Sequence, residues 1–267
     1  MLRCGITGST GNLGKSFLKE NTKFHFIKFK GNITKKKIID TWVKRNNFDI
    51  LVHLAAIVPT NLVNNDYKKA LKVNFKGTKN LTDSIIKNKK IIKWFFFAST
   101  SHVYPFYKRK IKENFKTNPV SKYGKTKLLA ENYIKKKLKN KNYCIGRIFS
   151  IIDNKNERFL IPSIKKKLRS KSKIVVLDNL NHYRDFLDTK QISKIIFYLW
   201  KKKTFGIINI ASGKKTNIQS LVKRIAIKMN KKIKFLHNKP TCQTADINKL
   251  LKIGYKPQEL KLKRFFQ

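Results

Sequence analysis

The chain has 267 residues, with 63 Lys and Arg against 14 Asp and Glu, a formal net charge of +49 and 41% hydrophobic residues. That apolar fraction supports a core and excludes a long disordered chain despite the charge, and the length suits one large α/β domain, with or without a small appended lobe. No run of 18 apolar residues occurs, so no membrane insertion is expected, and a strand-like start at Leu2 argues against a signal peptide.

The first half alternates strand-like and helix-like segments. Residues 2–7 read as a short buried strand, with a helix over 11–20 directly after it. A second strand is expected over 24–29, then a helix over 34–45 with Thr34 as its N-cap. The apolar run 49–55 (DILVHLA) is a third strand, followed by a loop containing Pro59 and a long helix over 66–87. The most apolar run, 91–99 (IIKWFFFAS), is expected as a central strand; a helix over 119–139 and a strand over 143–149 follow. Such alternation implies a Rossmann-like, doubly wound parallel sheet covered on both faces. From about residue 150 the rhythm changes. Helices are expected over 159–168, 189–199 and 217–229, with strands near 173–177 and 206–210. The division is a dinucleotide-binding domain over 1–150 and a smaller mixed α/β substrate lobe over 151–267, segments of which can return to the main sheet.

Of the 63 basic residues, 54 are Lys and only 9 are Arg, and Asn (25) and Ile (32) are also abundant. These are residues that A/T-rich codons encode, so the lysines read first as solvated helix faces. Specific nucleic-acid readout favours the arginine fork, which is scarce here. Lysines from Lys15 to Lys263 also form no single patch. The three cysteines, Cys4, Cys144 and Cys242, are far apart. They suggest neither a metal site nor a disulfide framework, which suits a cytoplasmic protein.

Two local patterns carry chemistry. In LRCGITGSTGNLGKSF, Gly8, Gly11 and Gly14 fall three apart between a strand and a helix. Glycines there permit a tight turn, let backbone amides approach a pyrophosphate and bring up a helix N-terminus. An ordinary strand–helix turn is the alternative, but four of the chain's 11 glycines cluster between Gly5 and Gly14. The second strand ends with Lys28 and Lys30 where an acid would favour NAD, and a lysine there could meet the 2′-phosphate of NADP. The other pattern is Tyr-x-x-x-Lys, which puts a phenol and an ammonium on one helix face. The ammonium can lower the phenol pKa and make a usable acid/base. With nine Tyr and 54 Lys, about two such pairs arise by chance, and four occur: Tyr104/Lys108, Tyr123/Lys127, Tyr133/Lys137 and Tyr198/Lys202. Position selects Tyr123/Lys127. It opens a long helix beyond Ser99, Thr100 and Ser101, which end the strongest strand, and ligands bind at the carboxyl ends of strands in open α/β sheets.

At this point the chain resembles an extended short-chain dehydrogenase/reductase of the NAD-dependent epimerase/dehydratase family, which acts on nucleotide sugars. TGSTGNLG, DILVHLAA, VNFKGTKNL, FASTSHVYP, IKENFKTNPVSKYGKTKLLAE, HYRDFLDTKQIS, GIINIASGKKTNIQSLV and TADINKLLKIGYKP match family motifs in the family's order. The resemblance implies Tyr123 as general acid/base, Lys127 as its pKa partner and ribose ligand, and Thr100 as the hydroxyl on the reacting sugar oxygen. It implies NAD or NADP held by Gly8, Gly11, Asn12, Leu13 and Gly14, with His53, Ala55 and Ala56 lining the cleft. Asn74 would brace the adjoining helix and strand. Arg184 would meet the nucleotide diphosphate of the substrate, and a homodimer is implied.

The departures bear on the reaction. Dehydratases of the family carry an Asp-Glu pair where this chain has Ser101 and His102, which disfavours dehydration and makes both residues candidates for the sugar pocket. The second strand runs straight into GNIT, as though a strand–helix unit were missing. That layout resembles dehydrorhamnose reductases, as Tyr104-Pro105 resembles GDP-fucose synthases. The histidine those synthases carry before their V-I-P-A segment is not found in RFLIPSI, and Ser150 stands near the family asparagine position. The expected activity is an NAD(P)-dependent epimerase or oxidoreductase on a nucleotide-linked sugar. The alternatives are an NADPH-dependent nucleotide-sugar reductase, a non-catalytic dinucleotide-binding protein and a polyanion-binding protein.

Overall fold

A computed structural model of the chain describes residues 1–58, 60–138, 142–153, 159–178, 180–258 and 260. Pro59, Lys139 at the expected helix end and Arg158 of RFLIPSI lie outside the described residues. In chain order, β1 (Leu2–Thr7), α1 (Asn12–Glu20), β2 (Phe24–Lys28), α2 (Lys36–Arg45) and β3 (Ile50–His53) follow the expected alternation. Next come α3 (Thr60–Asn65), α4 (Tyr67–Leu71) and α5 (Gly77–Lys87), with a π-helical turn at Lys72–Lys76 joining the last two. β4 (Trp94–Thr100) runs into a 3-10 turn at Ser101–Val103, and α6 (Lys122–Lys137) and β5 (Tyr143–Ile148) complete this half.

The second half begins with β6 (Ser150–Ile151), α7 (Leu160–Leu168), β7 (Ile174–Leu177), β8 (His182–Arg184) and β9 (Phe186–Leu187). It continues with α8 (Thr189–Lys201), β10 (Gly206–Ile210), β11 (Thr216–Asn217) and α9 (Ile218–Lys228), then β12 (Lys232–Phe235), β13 (Thr241–Gln243) and α10 (Asn248–Lys252). Among the described residues no helix is long and apolar enough to cross a membrane.

Six parallel strands form the main sheet in the order β10-β5-β4-β3-β1-β2. The chain starts in β1, steps outward to β2, then returns past β1 to β3. The switch point therefore lies between the carboxyl ends of β1 and β3, where this architecture opens a crevice. The strand–helix unit missing after the second strand is visible here as a sheet that ends at β2. β4 is central because both its faces are apolar. Trp94 and Phe96 pack under α1 and α8 with Phe17, Ile192 and Ile196, while Phe95 and Phe97 pack under α2, α5 and α6 with Ile39, Leu81 and Ile134. A continuous apolar run is what a strand covered on both sides requires.

Residues 189–210 return to this main body: α8 lies against α1, and β10 adds the strand beside β5. The separate lobe core is built from α7, β7 and α9, around Ile161, Ile164, Leu168, Val175 and Leu221. Short strands pair outside the main sheet. β8 pairs with β11 and β13, and β6 with β9.

Two expectations are corrected. Thr34 does not cap α2: its N–H and Oγ1–H both donate to Asn32 Oδ1, an Asn-centred turn, and Lys35 takes the cap position without a side-chain bond. The helix expected over 66–87 is interrupted by the π turn, although Asp66 caps its start by accepting from Lys69 N–H.

Candidate active site

The glycine turn follows β1 at the switch point. Gly8 has φ +74°, and a Cβ there would meet the Ala55 nitrogen at 2.6 Å, so the turn lies directly on the chain leaving β3. At Gly14 a Cβ would strike the Gly8 carbonyl at 2.2 Å, so α1 sits against the turn. Gly11 differs. Its nearest neighbour, the Gly8 carbonyl, lies 3.5 Å from an added Cβ, and its φ of −71° suits any residue. The fold itself therefore tolerates a side chain at Gly11, and its outer side is open. No side chain caps α1, which leaves the first-turn amides of Asn12 and Leu13 without a capping acceptor. A close-packed cradle, an open outer side and uncapped amides fit a dinucleotide pyrophosphate. Gly11→Ala should keep or slightly raise thermal stability, by about 0.4–1 kcal/mol. It should weaken dinucleotide binding about 10- to 100-fold, because the added methyl on the open side pushes the pyrophosphate away from the amides. Calorimetric titration beside a thermal melt reads both.

His53 ends β3 but does not line the crevice by its side chain, which is completely buried. Its Nδ1 lies 2.6 Å from Thr7 Oγ1 and its Nε2 2.9 Å from Thr78 Oγ1. Thr78 donates its hydroxyl proton to the Asn74 carbonyl, so it must accept from the ring, and His53 carries its proton on Nε2. Burial holds its pKa down to about 3, with the positive charge of Lys127 adding to the effect. Asn74, in the π turn, accepts from Ile57 N–H and donates to the Ile57 carbonyl and to Thr126 Oγ1. Thr126 donates to the Tyr123 carbonyl. Hydrogen bonds thus run without a break from the strand before the glycine turn to the helix bearing Tyr123, and Asn74 is a brace within them.

The unfolded chain protonates His53 near its ordinary value of 6.5, whereas the folded chain does not until far lower. Between these values the unfolded state binds more protons, so folding stability is lost as pH falls through this window. Chemical denaturation at pH 6.5 and at about pH 5 should show this loss, reduced in His53→Gln. A wild-type stability that stays level across that interval would contradict it.

Tyr123 lies in the first turn of α6 and is 7% exposed; Thr100, at the end of β4, is 6% exposed. Burial raises the Tyr123 pKa well above its ordinary value, and the Thr100 side chain opposes it. Lys127 stands one turn on, 1% exposed, with Nζ 4.0 Å from the Phe97 ring centroid. Burial lowers its pKa to about 7, while the Glu131 carboxylate raises it. The expectation that Lys127 lowers the Tyr123 pKa is therefore not met in this arrangement: the ammonium rests on Phe97, and the phenol stays protonated. The other three Tyr-x-x-x-Lys pairs separate by context. Tyr104 is buried outside any helix with its hydroxyl on Asn209, and Tyr133 and Tyr198 carry their lysines over partly exposed rings.

Several supports of this site carry no local signature in the sequence. Glu131, one turn beyond Lys127, is completely buried and accepts from Arg147 Nε at 3.1 Å and Nη2 at 2.7 Å, and from the Ser99 hydroxyl. Gly124 brings α6 onto the turn before it, where a Cβ would meet the His102 carbonyl at 2.2 Å. Ser121 caps α6 by accepting from Gly124 N–H. The Ser101 hydroxyl is bound to Gln243 Oε1 in β13, which ties this turn to the lobe and commits that side chain within the protein.

Arg184, in β8, donates to the Tyr183 and Thr241 carbonyls and to Thr241 Oγ1. These bonds leave its Nε–H and one Nη2–H without a partner among the described residues, and its positive charge reaches His102. Ala55 and Ala56 are half-buried where the chain leaves β3, and Lys28, which ends β2, and Lys30 beyond it are exposed.

Residues 6–211 match the sequence profile of the NAD dependent epimerase/dehydratase family. The chain belongs to that family. Its members are enzymes that modify nucleotide sugars with NAD(P), in agreement with the cofactor and fold expected from the motifs. A GDP-6-deoxy-D-talose 4-dehydrogenase of Aggregatibacter actinomycetemcomitans is 27% identical over 218 residues, covering 78% of this chain and 74% of that protein. Among solved structures, RMD from Pseudomonas aeruginosa complexed with NADPH superposes with TM-score 0.86 at 20% identity, covering 100% of this chain and 97% of the other. The Thermus thermophilus UDP-glucose 4-epimerase complex with NAD gives TM-score 0.84 at 15% identity, covering 99% and 97%. At these identities the superpositions establish the fold.

Proposed function

We propose that this member of the family is an NAD(P)-dependent oxidoreductase or epimerase of a nucleotide-linked sugar. The carrying observation is the enclosed Tyr123–Thr100 pair at the carboxyl end of β4, with Lys127 a turn away and the open glycine cradle at the neighbouring switch point. Bound NAD or NADP would supply or take up the hydride at the sugar carbon.

The chain's own groups handle the proton and the charge. Tyr123, held protonated by burial, gives its proton to the sugar oxygen as a carbonyl is reduced, and recovers it in the reverse direction. Thr100 holds that same oxygen. Lys127 holds the nicotinamide ribose. The amides of Asn12 and Leu13 take the pyrophosphate. Lys28 and Lys30, with no carboxylate among them, favour the 2′-phosphate of NADP. Arg184 offers its remaining N–H groups to the diphosphate of the sugar nucleotide. Because Ser101 and His102 replace the acidic pair of dehydratases, the chemistry stops at oxidoreduction and does not proceed to loss of water.

A homodimer packed through α6 belongs to the same proposal, supported by exposed apolar side chains at Ile86 on α5 and Leu129 on α6, as does a cytoplasmic setting. The test is a nucleotide-sugar panel that includes GDP-6-deoxy-D-talose and UDP-glucose, followed by NAD(P)H absorbance and by product stereochemistry. Net cofactor turnover identifies a reductase or dehydrogenase. An epimerised sugar with cofactor retained through purification identifies an epimerase. No reaction with any sugar, together with tight dinucleotide binding, favours a non-catalytic dinucleotide-binding protein.

A further inference from the structure

A lysine buried as completely as Lys127 needs a counter-charge, because burial without one strips the ammonium of its proton. The groups around it narrow the choice. From β4, the Phe97 ring lies against Nζ. From β3, His53 is neutral, its pKa held down in part by Lys127 itself. Tyr123, one turn before on α6, is kept protonated by burial. Glu131, one turn after, is completely buried, and helix spacing sets its side chain beside that of Lys127. Its negative charge opposes the effect of burial on Lys127.

The carboxylate is fixed in turn. Arg147 from β5 donates to its two oxygens, from Nε at 3.1 Å and from Nη2 at 2.7 Å. Ser99, the residue before Thr100 on β4, adds its hydroxyl proton. Arg147 itself is held by the Glu113 carbonyl and the Tyr104 ring. With these donors the carboxyl group stays ionised and keeps its orientation. A buried pair of this kind adds little stability over apolar side chains of similar volume. What apolar replacements would not supply is a negative charge one turn from Lys127.

Resting on the assignment of Lys127 to the nicotinamide ribose, we infer that Glu131 is a positioning residue of the cofactor site: a buried counter-ion, aimed by Arg147 and Ser99, that keeps Lys127 an ammonium able to donate to the ribose hydroxyls. This role is separate from tying α6 to the sheet. It decides at which pH Lys127 is charged, whereas the tie decides where the helix lies.

The double variant Glu131→Met with Arg147→Met separates the two roles, because it removes the carboxylate without leaving a buried charge unpaired. Calorimetric titration of the intact protein with NAD and with NADP, from about pH 5.5 to 8.5, reads the effect. In wild type, affinity should fall as pH rises past the Lys127 midpoint at about 7. In the double variant the fall should begin a full pH unit or more lower. The two affinities then converge towards pH 5.5 and differ about tenfold at pH 8, the ratio that one pH unit sets. Carbon-13 NMR of the Lys127 side chain follows the same midpoint without ligand. It should move down in the double variant and stay near the wild-type value in Glu131→Asp, which keeps a carboxylate. A merely structural role would weaken binding by one factor at every pH and leave the Lys127 midpoint in place, and that result would overturn the inference. Unchanged dinucleotide affinity in Lys127→Met would overturn the ribose assignment beneath it instead, and the NMR midpoint would still decide whether Glu131 is the counter-ion.

Discussion

Replacing Tyr123 by Phe should cut turnover of the accepted nucleotide sugar about a thousandfold, within the 10²–10⁴ range for a positioned general acid or base, while leaving dinucleotide affinity intact. The phenol ring stays to pack against His102 and the α3–α4 side chains Val63 and Ala70; only the hydroxyl is lost. Steady-state kinetics beside a binding titration make the distinction. Because burial keeps Tyr123 protonated well above the usual range, the acid form is present across ordinary pH. The reducing direction, which needs that proton, should therefore hold its rate as pH rises through neutrality. The oxidising direction needs the phenolate and should slow as pH falls.

The largest stability effect is expected at Arg147. Its guanidinium and the Glu131 carboxylate are both almost completely buried, 3% and 0% exposed, and meet at 2.7 Å. Arg147 also donates to the Glu113 carbonyl and stacks over Tyr104, with 4.6 Å between the guanidinium carbon and the ring centroid. Arg147→Met leaves a buried carboxylate with only Ser99 as hydrogen-bond donor. Breaking such a pair from one side costs about 3–5 kcal/mol, which for a chain of this size lowers Tm by on the order of 10 °C. Adding Glu131→Met should return a good part of the loss, since the uncompensated charge goes with it. A double-mutant cycle by thermal or chemical denaturation measures the coupling. Additive losses would show that the two residues do not act as a pair. The pair also fixes α6 to β4 and β5 one turn from Lys127, so the single variant should lose activity at temperatures where it is still folded.

The parts of this molecule that were legible in the sequence are those where one local rule dominates. The turn at Gly8 is written in residues that no other side chain can replace without striking Ala55, and WFFFAST can only be a strand covered on both faces. The pair at Tyr123 and Lys127 could not be told from three others by spacing, because lysine is so common. It differs from them in lying after the strongest strand, and its burial sets it apart from the partly exposed pairs at Tyr133 and Tyr198.

What stayed hidden depends on contacts distant in sequence. Glu131 and Arg147 are 16 residues apart on different elements, and Ser101 meets Gln243 across 142 residues. The strands β8, β11 and β13 have two or three residues each and owe their existence to pairing with one another. Thr34 has the right chemistry for a cap, but the turn centred on Asn32 holds its N–H and hydroxyl and leaves Lys35 at the cap position. The position of Lys127 over Phe97 reflects a choice of side-chain rotamer, which motif spacing does not encode.

The most direct test of the account follows a labelled hydrogen. The protein is incubated with NAD(P)H carrying deuterium at the transferable C4 position and with nucleotide-linked keto sugars, and the products are read by mass spectrometry and NMR. Deuterium should appear at one carbon of the sugar with wild-type protein, in one stereochemical sense for a reductase and in both for an epimerase, and be almost absent with Tyr123→Phe. Equal labelling by both proteins, or none in any sugar from a protein shown to bind the dinucleotide, would contradict the assignment of Tyr123 and the chemistry built on it.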